Sequence, residues 1–352
     1  MNFVQTFSTA ALAAAFTLAP IVAQTTVTIT ADKDNTLYES ATGALSNAKG
    51  FLFCGNTGTG DKRRTLLHFD VAAAIPAGAV VVSAELRLFV EQSVAFLPIA
   101  TAVHRMAGDW GEGSSQAPGN GGAGGPATAG DATWLHSFYP STFWSNPGGD
   151  FANTPTMTFP LASLGQATSG PSAALAADVQ DMLDNPQTNF GWLLKTDEVL
   201  SATARRMDSR ENLSNRPSLV VHYVMPGSTS IWGIGCPVGT STATTMFGGP
   251  AIGGNSVTIA RFDTVQNSVG ADFYSLYLEP AGVTLQPSCS VYLPLAQDIL
   301  PGGVFLSGSG VSAGSLQLPA NFPGYLITCQ SAVLDNSPLG LSLSNAALLV
   351  IQ

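Results

Sequence analysis

The chain has 352 residues, of which 10% are charged and 45% hydrophobic, with a formal net charge of −10. The hydrophobic share argues against a disordered chain, and the length is ample for two domains. The acidic balance argues against a nucleic-acid partner, which needs a basic surface, and it removes electrostatic attraction to anionic lipid. Because turn-forming and β-branched residues are frequent while charged residues are few, we expect an all-β protein.

The beginning of the chain is typical of a secretory signal peptide, which we assign to residues 1–23. An apolar run over residues 10–22 ends at the small residue Ala23, and Gln24 is the expected start of the mature chain. The run contains Pro20 and is short for a membrane span. No later stretch reaches spanning length. We therefore expect a secreted, extracellular protein without a membrane-spanning segment.

Residues 24–225 are predicted to form a first domain, a jelly-roll β-sandwich with one short helix. Alternating or β-branched runs predict strands at residues 25–31, 51–54, 65–70, 80–91, 99–106, 157–161, 190–195, 202–208 and 217–224. Asp32–Asn35 is predicted as a turn and Lys62–Arg64 as a solvated hairpin turn, although this basic triplet could also contact an acidic glycan. The helix is predicted after Ser172, a suitable N-cap, and before Asn185-Pro186, which cannot continue it.

A long insert, residues 108–150, follows the strand at 99–106. Loops longer than about 12–15 residues are usually functional or disordered, and this one carries three of the chain's five Trp. Trp rings offer flat faces for contact with sugars, and carboxylates can accept hydrogen bonds from hydroxyl groups. We therefore predict that the insert binds ligand through Trp110, Trp134, Trp144, Tyr139, Asp109, Glu112, Asp131 and His136. The alternative for each Trp is that it only pins the insert onto the core.

The same acids support two further hypotheses. Asp109 or Glu112 could face Asp131 as the carboxylate pair of a glycosidase, in which the two acids flank the scissile bond. A structural Ca²⁺ could instead be held by these acids, or by Asp32 and Asp34, because calcium takes oxygen ligands. Turn capping by Asp is the commoner use of such residues. No catalytic residue is assigned.

The other histidines and the arginines are predicted to be structural. Three histidines lie in strand patterns, with no helical pair that would suit zinc: His68, His104 and His222. Arg205, Arg206 and Arg210 are predicted to pair with neighbouring acids. The alternative is that one of them binds an acidic sugar through both prongs of its guanidinium.

Residues 226–230 form a small, polar linker, and residues 231–352 are predicted to be a second, smaller β-sandwich. Its strand signals lie at 256–262, 273–278, 291–295 and 348–351. The chain has four cysteines, which in an exported protein predict disulfides. Cys236–Cys289 is the favoured pair, and the state of Cys54 and Cys329 stays open.

Segments spread over the first domain resemble the DNRLRE-domain family, which is grouped with carbohydrate-binding modules of secreted bacterial proteins. The matching segments are Thr65–Asp70, Ile75–Ala79, Ser83–Leu86, Asp109–Gly113, Gly130–Trp134, Pro147–Phe151, Asp184–Pro186, Asn189–Trp192 and Asp208–Asn212. The resemblance implies a jelly-roll sandwich, an extracellular setting and glycan binding, and it supplies no catalytic set. The C-terminal domain is similar, at Gly233–Cys236 and Leu343–Ala346, to a Cys-containing β module at the ends of secreted bacterial proteins.

The sequence thus predicts a secreted, non-catalytic module that binds extracellular polysaccharide or a cell-surface glycan through the Trp- and acid-bearing insert. Two alternatives stay open. One is a structural cell-surface or matrix protein without a ligand, in which the insert serves packing alone. The other is a polysaccharide-degrading hydrolase or lyase.

Overall fold

The computed structural model describes residues 25–238, 241–296, 299–337 and 339–352. The predicted signal peptide, residues 1–23, lies outside these ranges. Strands contain 46% of the residues and helices 6%, which confirms the predicted all-β class. Within the described ranges, no helix is long and apolar enough to cross a membrane.

The first fifteen strands and both helices lie within residues 25–224. The strands are β1 (Thr25–Thr30), β2 (Lys33–Tyr38), β3 (Leu45–Ser46), β4 (Leu52–Asn56), β5 (Lys62–His68), β6 (Val80–Ser93), β7 (Ile99–Arg105), β8 (Gly125–Pro126), β9 (His136–Phe138), β10 (Thr142–Phe143), β11 (Met157–Leu161), β12 (Gly165–Thr168), β13 (Trp192–Lys195), β14 (Arg205–Met207) and β15 (Ser218–Val224). The helices are α1 (Val71–Ala74) and α2 (Ala173–Asp184), and a 3-10 turn follows at Pro186–Thr188.

Eleven of these strands form an antiparallel sandwich of two layers. Sheet 1 contains β1, β15, β6, β12 and β14. Sheet 2 contains β2, β5, β13, β7 and β11. Strand β4 joins the layers, because Leu52–Cys54 pair with β14 while Gly55–Asn56 pair with β5. The main core lies between the two layers.

Sheet 2 is buried on both faces, and its sequence shows why. In β13, Trp192 enters the main core while Leu193 belongs to a second cluster on the opposite face. In β5, Leu67 lies in the main core and Leu66 in the second cluster. Successive strand residues face opposite sides, so uninterrupted apolar pairs need a cover on the outer face as well. That cover is the insert at residues 108–150.

Helix α2 begins and ends where the sequence predicts. The Ser172 hydroxyl accepts a hydrogen bond from the Leu175 backbone N–H at 3.2 Å and caps the helix. The residues at helical spacing, Leu175, Val179, Met182 and Leu183, are all buried in the main core. The helix stops directly before the Asn-Pro pair. Helix α1, a single turn, is not among the predicted elements.

Two predicted turns are wrong, because both segments lie in strands. Residues 33–35 belong to β2, and residues 62–64 belong to β5. Arg63 and Arg64 are 6% and 8% exposed, so the basic triplet is not a solvated hairpin turn. These polar residues are buried because distant segments cover them, and strand propensity depends strongly on such tertiary context.

The remaining strands lie within residues 229–350. They are β16 (Thr229–Trp232), β17 (Pro237–Val238), β18 (Ser241–Thr242), β19 (Thr244–Gly248), β20 (Ser256–Phe262), β21 (Ser268–Ser275), β22 (Val283–Gln286), β23 (Cys289–Val291), β24 (Leu300–Ser307), β25 (Ser312–Gln317), β26 (Leu326–Leu334) and β27 (Leu341–Val350).

Eight of these strands form the predicted second, smaller sandwich. Sheet 3 has the order β16-β27-β26-β21-β24, and sheet 4 has the order β19-β20-β25. Their core places Phe247 and Ile259 of sheet 4 against Ile327 and Leu349 of sheet 3. Apolar residues of both sandwiches also pack together in a shared cluster that includes Val224 and residues of β27.

The predicted Cys236–Cys289 disulfide is confirmed. Cys54 and Cys329 are free and buried in the cores of the first and second sandwich. Burial raises the pKa of the Cys54 thiol to about 12, so this thiol stays protonated at neutral pH.

Candidate functional site

The three Trp rings of the insert are buried. Trp110, Trp134 and Trp144 are 1%, 7% and 7% exposed and pack on the outer face of sheet 2. The Trp110 indole N–H donates to the Phe190 carbonyl oxygen at 2.9 Å, and the Trp144 N–H donates to that of Thr133 at 2.8 Å. The prediction that these rings form an open stacking surface is therefore wrong. They pin the insert onto the core, as the alternative for each Trp proposed.

His136 and Tyr139 are also part of this packing. His136 is 5% exposed, and its Nδ1 lies 3.0 Å from the Thr133 hydroxyl oxygen. The His136 ring centroid lies 4.2 Å from that of Phe143 and 5.1 Å from that of Tyr139, which is itself partly buried. The prediction that His136 touches ligand is wrong, because its own loop encloses the ring.

Glu112 connects the insert to the segment after β14 through an ion pair. Its carboxylate accepts hydrogen bonds of 2.5 and 2.7 Å from the Arg210 guanidinium and one of 2.9 Å from Lys49. It also accepts the Asp34 backbone N–H at 3.1 Å. Burial acts to raise the pKa of Glu112, but the hydrogen bonds from Arg210 and Lys49 outweigh it and hold that pKa below its usual value. Glu112 is thus a structural anion and not an open ligand contact.

Asp131 and Asp109 have separate partners. Asp131 is fully buried and accepts the backbone N–H groups of Ser114 at 2.9 Å and Thr128 at 2.6 Å. Asp109 is exposed and pairs with Lys33 at 2.9 Å. Glu112 and Asp131 therefore use their carboxylate oxygens to hold the insert, and Asp109 adds an exposed ion pair. The glycosidase hypothesis, which needs two acids across a scissile bond, stays a prediction.

Asp32 and Asp34, the second predicted calcium site, have separate protein partners. The Asp32 carboxylate lies 2.7 Å from His68 Nδ1, whereas Asp34 accepts the Arg210 backbone N–H at 2.7 Å. Burial raises the pKa of Asp34 well above its usual value, and its Oδ1 has no hydrogen-bond partner among the described residues. Across the described ranges, no group of three or more His, Cys, Asp or Glu side chains is placed to hold a metal ion.

Of the three arginines in and directly after β14, two follow the predicted ion pairing. Arg206 binds Glu91 at 2.7 Å, and Arg210 binds Glu112. Arg205 differs, because its guanidinium donates to three backbone carbonyl oxygens, those of Ala162, Thr203 and Leu97. Backbone carbonyls satisfy its donors inside the core where no acid is at hand.

One cavity lies where β4 passes from sheet 1 to sheet 2, and a second lies beside the segment directly before β4. We call them together the β4 groove. The first has a volume of about 320 Å³, and its polar and aromatic lining includes Phe53, Asn56, Arg63, Gln92 and Arg206. The second has a volume of about 290 Å³, and its lining includes Asn47, Lys49, Phe51, Asp208 and Asn212. The Gly-rich part of the insert, residues 116–123, borders both cavities.

Arg63 brings a buried cation into the first cavity, and no described carboxylate forms an ion pair with it. It is 6% exposed, and its guanidinium donates to the carbonyl oxygens of Lys62 at 2.8 Å and Gly122 at 3.3 Å. The guanidinium lies 4.8 Å from the centroid of the Tyr38 ring. Burial lowers the pKa of Arg63. Because buried charges in proteins are normally paired, this cavity has an electrostatic preference for an anion.

The same cavity offers further ligand contacts. Asn56 is 2% exposed, and its side-chain oxygen accepts no hydrogen bond from a described residue. Arg206 supplies a second guanidinium, which is paired with Glu91 and lies 4.3 Å from the centroid of the Phe51 ring. Phe53 forms part of the wall. Cationic donors, a free acceptor and aromatic surface occur together.

Sequence reasoning missed the β4 groove because its residues come from four distant stretches: 47–63, 92–94, 116–123 and 202–212. Two signals pointed toward it, the basic triplet and the Gly-rich run. At Gly121, where φ is +79°, an added Cβ would lie 3.3 Å from the Phe53 ring. Glycine therefore lets the insert backbone approach this wall closely.

Fold and groove together define a two-sandwich, all-β protein with a partly cationic groove. No family model matches the chain, and no curated protein matches it. Among solved structures, the chain is similar to the β-glucuronidase of Parabacteroides merdae, whose crystal structure has glycerol in the active site. The identity is 9% and the TM-score 0.21, over 96% of this chain and 36% of that chain. A TM-score this low supports no argument about fold or function.

Proposed function

We propose that this protein is a non-catalytic extracellular module that binds polysaccharide, and that the ligand lies in the β4 groove and not on the Trp rings. The observation that carries the proposal is the buried, carboxylate-free guanidinium of Arg63 in a cavity of about 320 Å³. Pockets of roughly 300 Å³ or more accommodate small-molecule groups. A sugar unit with a carboxylate or sulfate would supply the missing counter-charge.

The class of ligand follows from the donors and acceptors. Arg recognises carboxylates and sulfates because its planar fork makes two parallel charge-assisted hydrogen bonds. The free Asn56 oxygen suits a hydroxyl donor, and neutral sugars lack the anion that Arg63 needs. The proposed ligand is therefore an acidic polysaccharide.

The two cavities of the groove would take neighbouring sugar units of one polysaccharide chain. Phe53, in β4, lines the first cavity, and Phe51, directly before β4, lines the second. Lys49 at the second cavity, whose lining also contains Asp208 and Glu211, would contact the neighbouring unit of the chain.

A structural protein without a ligand is the second candidate. Burial of Trp110, Trp134 and Trp144 favours it for the insert, because those rings serve packing. It does not account for the lone cation at Arg63, and this difference makes the two candidates separable by a binding experiment.

The experiment compares Arg63→Gln and Arg206→Gln with the wild-type chain by isothermal titration against polygalacturonate, with neutral dextran as a second polymer. Arg87→Gln is the matched control, because it removes the same charge from a surface ion pair outside the groove. A hydrogen bond to a charged group is worth about 1.5–3 kcal/mol, so loss of Arg63 should weaken binding by about 10- to 100-fold. Thermal melting verifies that each variant is folded.

Binding to polygalacturonate that falls in both groove variants and persists in Arg87→Gln supports the proposal. Equal binding by Arg63→Gln and Arg87→Gln, or dextran binding as tight as that of the polyuronate, contradicts it. Binding to neither polymer would favour the structural candidate.

A further inference from the structure

The second sandwich has a cavity that the proposed function does not use. It has a volume of about 610 Å³ and lies between β24, at the edge of sheet 3, and β25, at the edge of sheet 4. Its apolar and aromatic lining includes Tyr274, Leu276, Leu300, Pro301, Leu316 and Ile327. We call it the edge cavity.

The edge cavity is an opening into the hydrophobic core. Ile327 belongs to the core of the second sandwich, and Tyr274 and Leu316 pack against that core. At the mouth, Leu276 and Leu300 are 49% and 61% exposed. Large apolar side chains at a mouth that leads to an apolar interior mark a binding site more often than an ordinary surface.

The backbone of β24 leaves this space open. Gly302 and Gly303 contribute no side chains to the wall. A Cβ added at Gly302 would overlap the Tyr274 ring, which occupies the space beside it. A side chain at this point of β24 would therefore displace Tyr274, and glycine keeps the wall open.

Among the residues that the structure describes, no ionic group lines the edge cavity. The described lining contains no Lys, Arg, His, Asp or Glu. Arg261 and Asp272, the charged pair inside this sandwich, bind each other and leave neither charge free. Taking an unpaired charge out of water is costly, so a charged ligand would find no compensation here.

We propose that the edge cavity binds an uncharged, largely apolar molecule such as a long-chain alcohol. Burial of the hydrocarbon supplies the affinity, since each buried methylene contributes about 0.8 kcal/mol in transfer. The exposed Ser315 at the rim can contact a hydroxyl head. A fatty acid of the same length binds more weakly, because its carboxylate meets no cation.

The test uses the full chain with the neutral dye N-phenyl-1-naphthylamine, whose fluorescence rises in apolar surroundings. Bound dye is displaced with dodecanol or dodecanoate. Leu300→Lys places a cation at the mouth, and Leu306→Lys is the matched control on the same strand. Leu306 is 73% exposed and lies outside the cavity lining. Because both leucines are exposed, neither variant should unfold the sandwich.

In the wild-type chain we expect dodecanol to displace the dye at lower concentration than dodecanoate. Leu300→Lys should weaken dye binding by about tenfold, equivalent to losing burial of about two methylenes, and should shift the preference toward dodecanoate. Leu306→Lys should bind like the wild type. Absence of dye binding, equal loss in both variants, or a wild-type preference for dodecanoate would overturn the proposal.

Discussion

Replacing Trp110 by Ala tests whether the insert is a structural layer. The Trp110 ring is 1% exposed in the cluster between the insert and sheet 2. Its N–H satisfies the Phe190 carbonyl oxygen, and the Lys33 ammonium lies 4.3 Å from the ring centroid. The substitution therefore removes a packed ring, a buried hydrogen bond and a cation–π contact at once.

Each loss has a known size. Truncating a buried Trp to Ala costs about 3–5 kcal/mol. A buried carbonyl left without its donor adds about 1–3 kcal/mol, and a cation–π contact is worth about 0.5–1 kcal/mol. Because such contributions are not fully additive, we expect a loss of about 5 kcal/mol, which is comparable to the whole stability of many domains.

The assay is thermal unfolding followed by circular dichroism, which does not depend on Trp fluorescence. At about 2–4 °C per kcal/mol for a domain of this size, Trp110→Ala should lower the melting temperature by about 10–20 °C. Phe143→Ala is the control in the same insert, because Phe143 is 63% exposed. If both variants melt like the wild type, the insert is not part of the fold and the reasoning fails.

Three further predictions follow from the same contacts. Glu112→Gln removes the anion that binds the Arg210 fork and should cost about 2 kcal/mol in denaturant unfolding, a value reduced for partial exposure. Asp34→Asn should stabilise the fold increasingly between about pH 4 and about pH 7, because burial raises the pKa of the folded carboxyl and its ionisation costs stability as pH rises. Reducing the Cys236–Cys289 bond, which spans 53 residues, should destabilise the second sandwich by about 4 kcal/mol in calorimetry.

Each of these has a contrary outcome. Unchanged stability in Glu112→Gln would mean that the Glu112–Arg210 ion pair does not stabilise the fold. A stabilising effect of Asp34→Asn that is as large at about pH 4 as at about pH 7 would show that charge is not its cause. If reductant lowers the melting temperature of the first sandwich as much as that of the second, the disulfide does not act only on the second sandwich.

The parts of the fold that the sequence predicts well are those in which local pattern and tertiary context agree. Strand β6 alternates Leu86 and Leu88 inward with Glu85 outward, and helix α2 has both a cap and an apolar stripe. Strand β2 was not predicted because Asp34 and its neighbours are polar, which is typical of a turn. In the structure they are buried beneath the insert. No single-sequence pattern reveals such a cover.

The site was harder to predict for a related reason. The Trp-bearing insert has the composition of a ligand loop, but sheet 2 presents Leu37, Leu66 and Leu193 on its outer face, and those residues must be covered. That requirement takes the rings out of solvent. Arg63 was noticed only within a basic triplet, because its buried position depends on β4 and on the Gly-rich run far along the chain.

Hydrogen–deuterium exchange of the whole protein with and without polygalacturonate tests the central claim most directly, because it maps the ligand without mutation. We expect slower amide exchange within residues 51–58, 119–123 and 202–206, which contribute to the lining of the β4 groove. We expect no ligand-dependent change at residues 131–144, which carry two of the buried Trp rings. Protection confined to 131–144 would contradict the proposal and place the ligand at the Trp-bearing part of the insert.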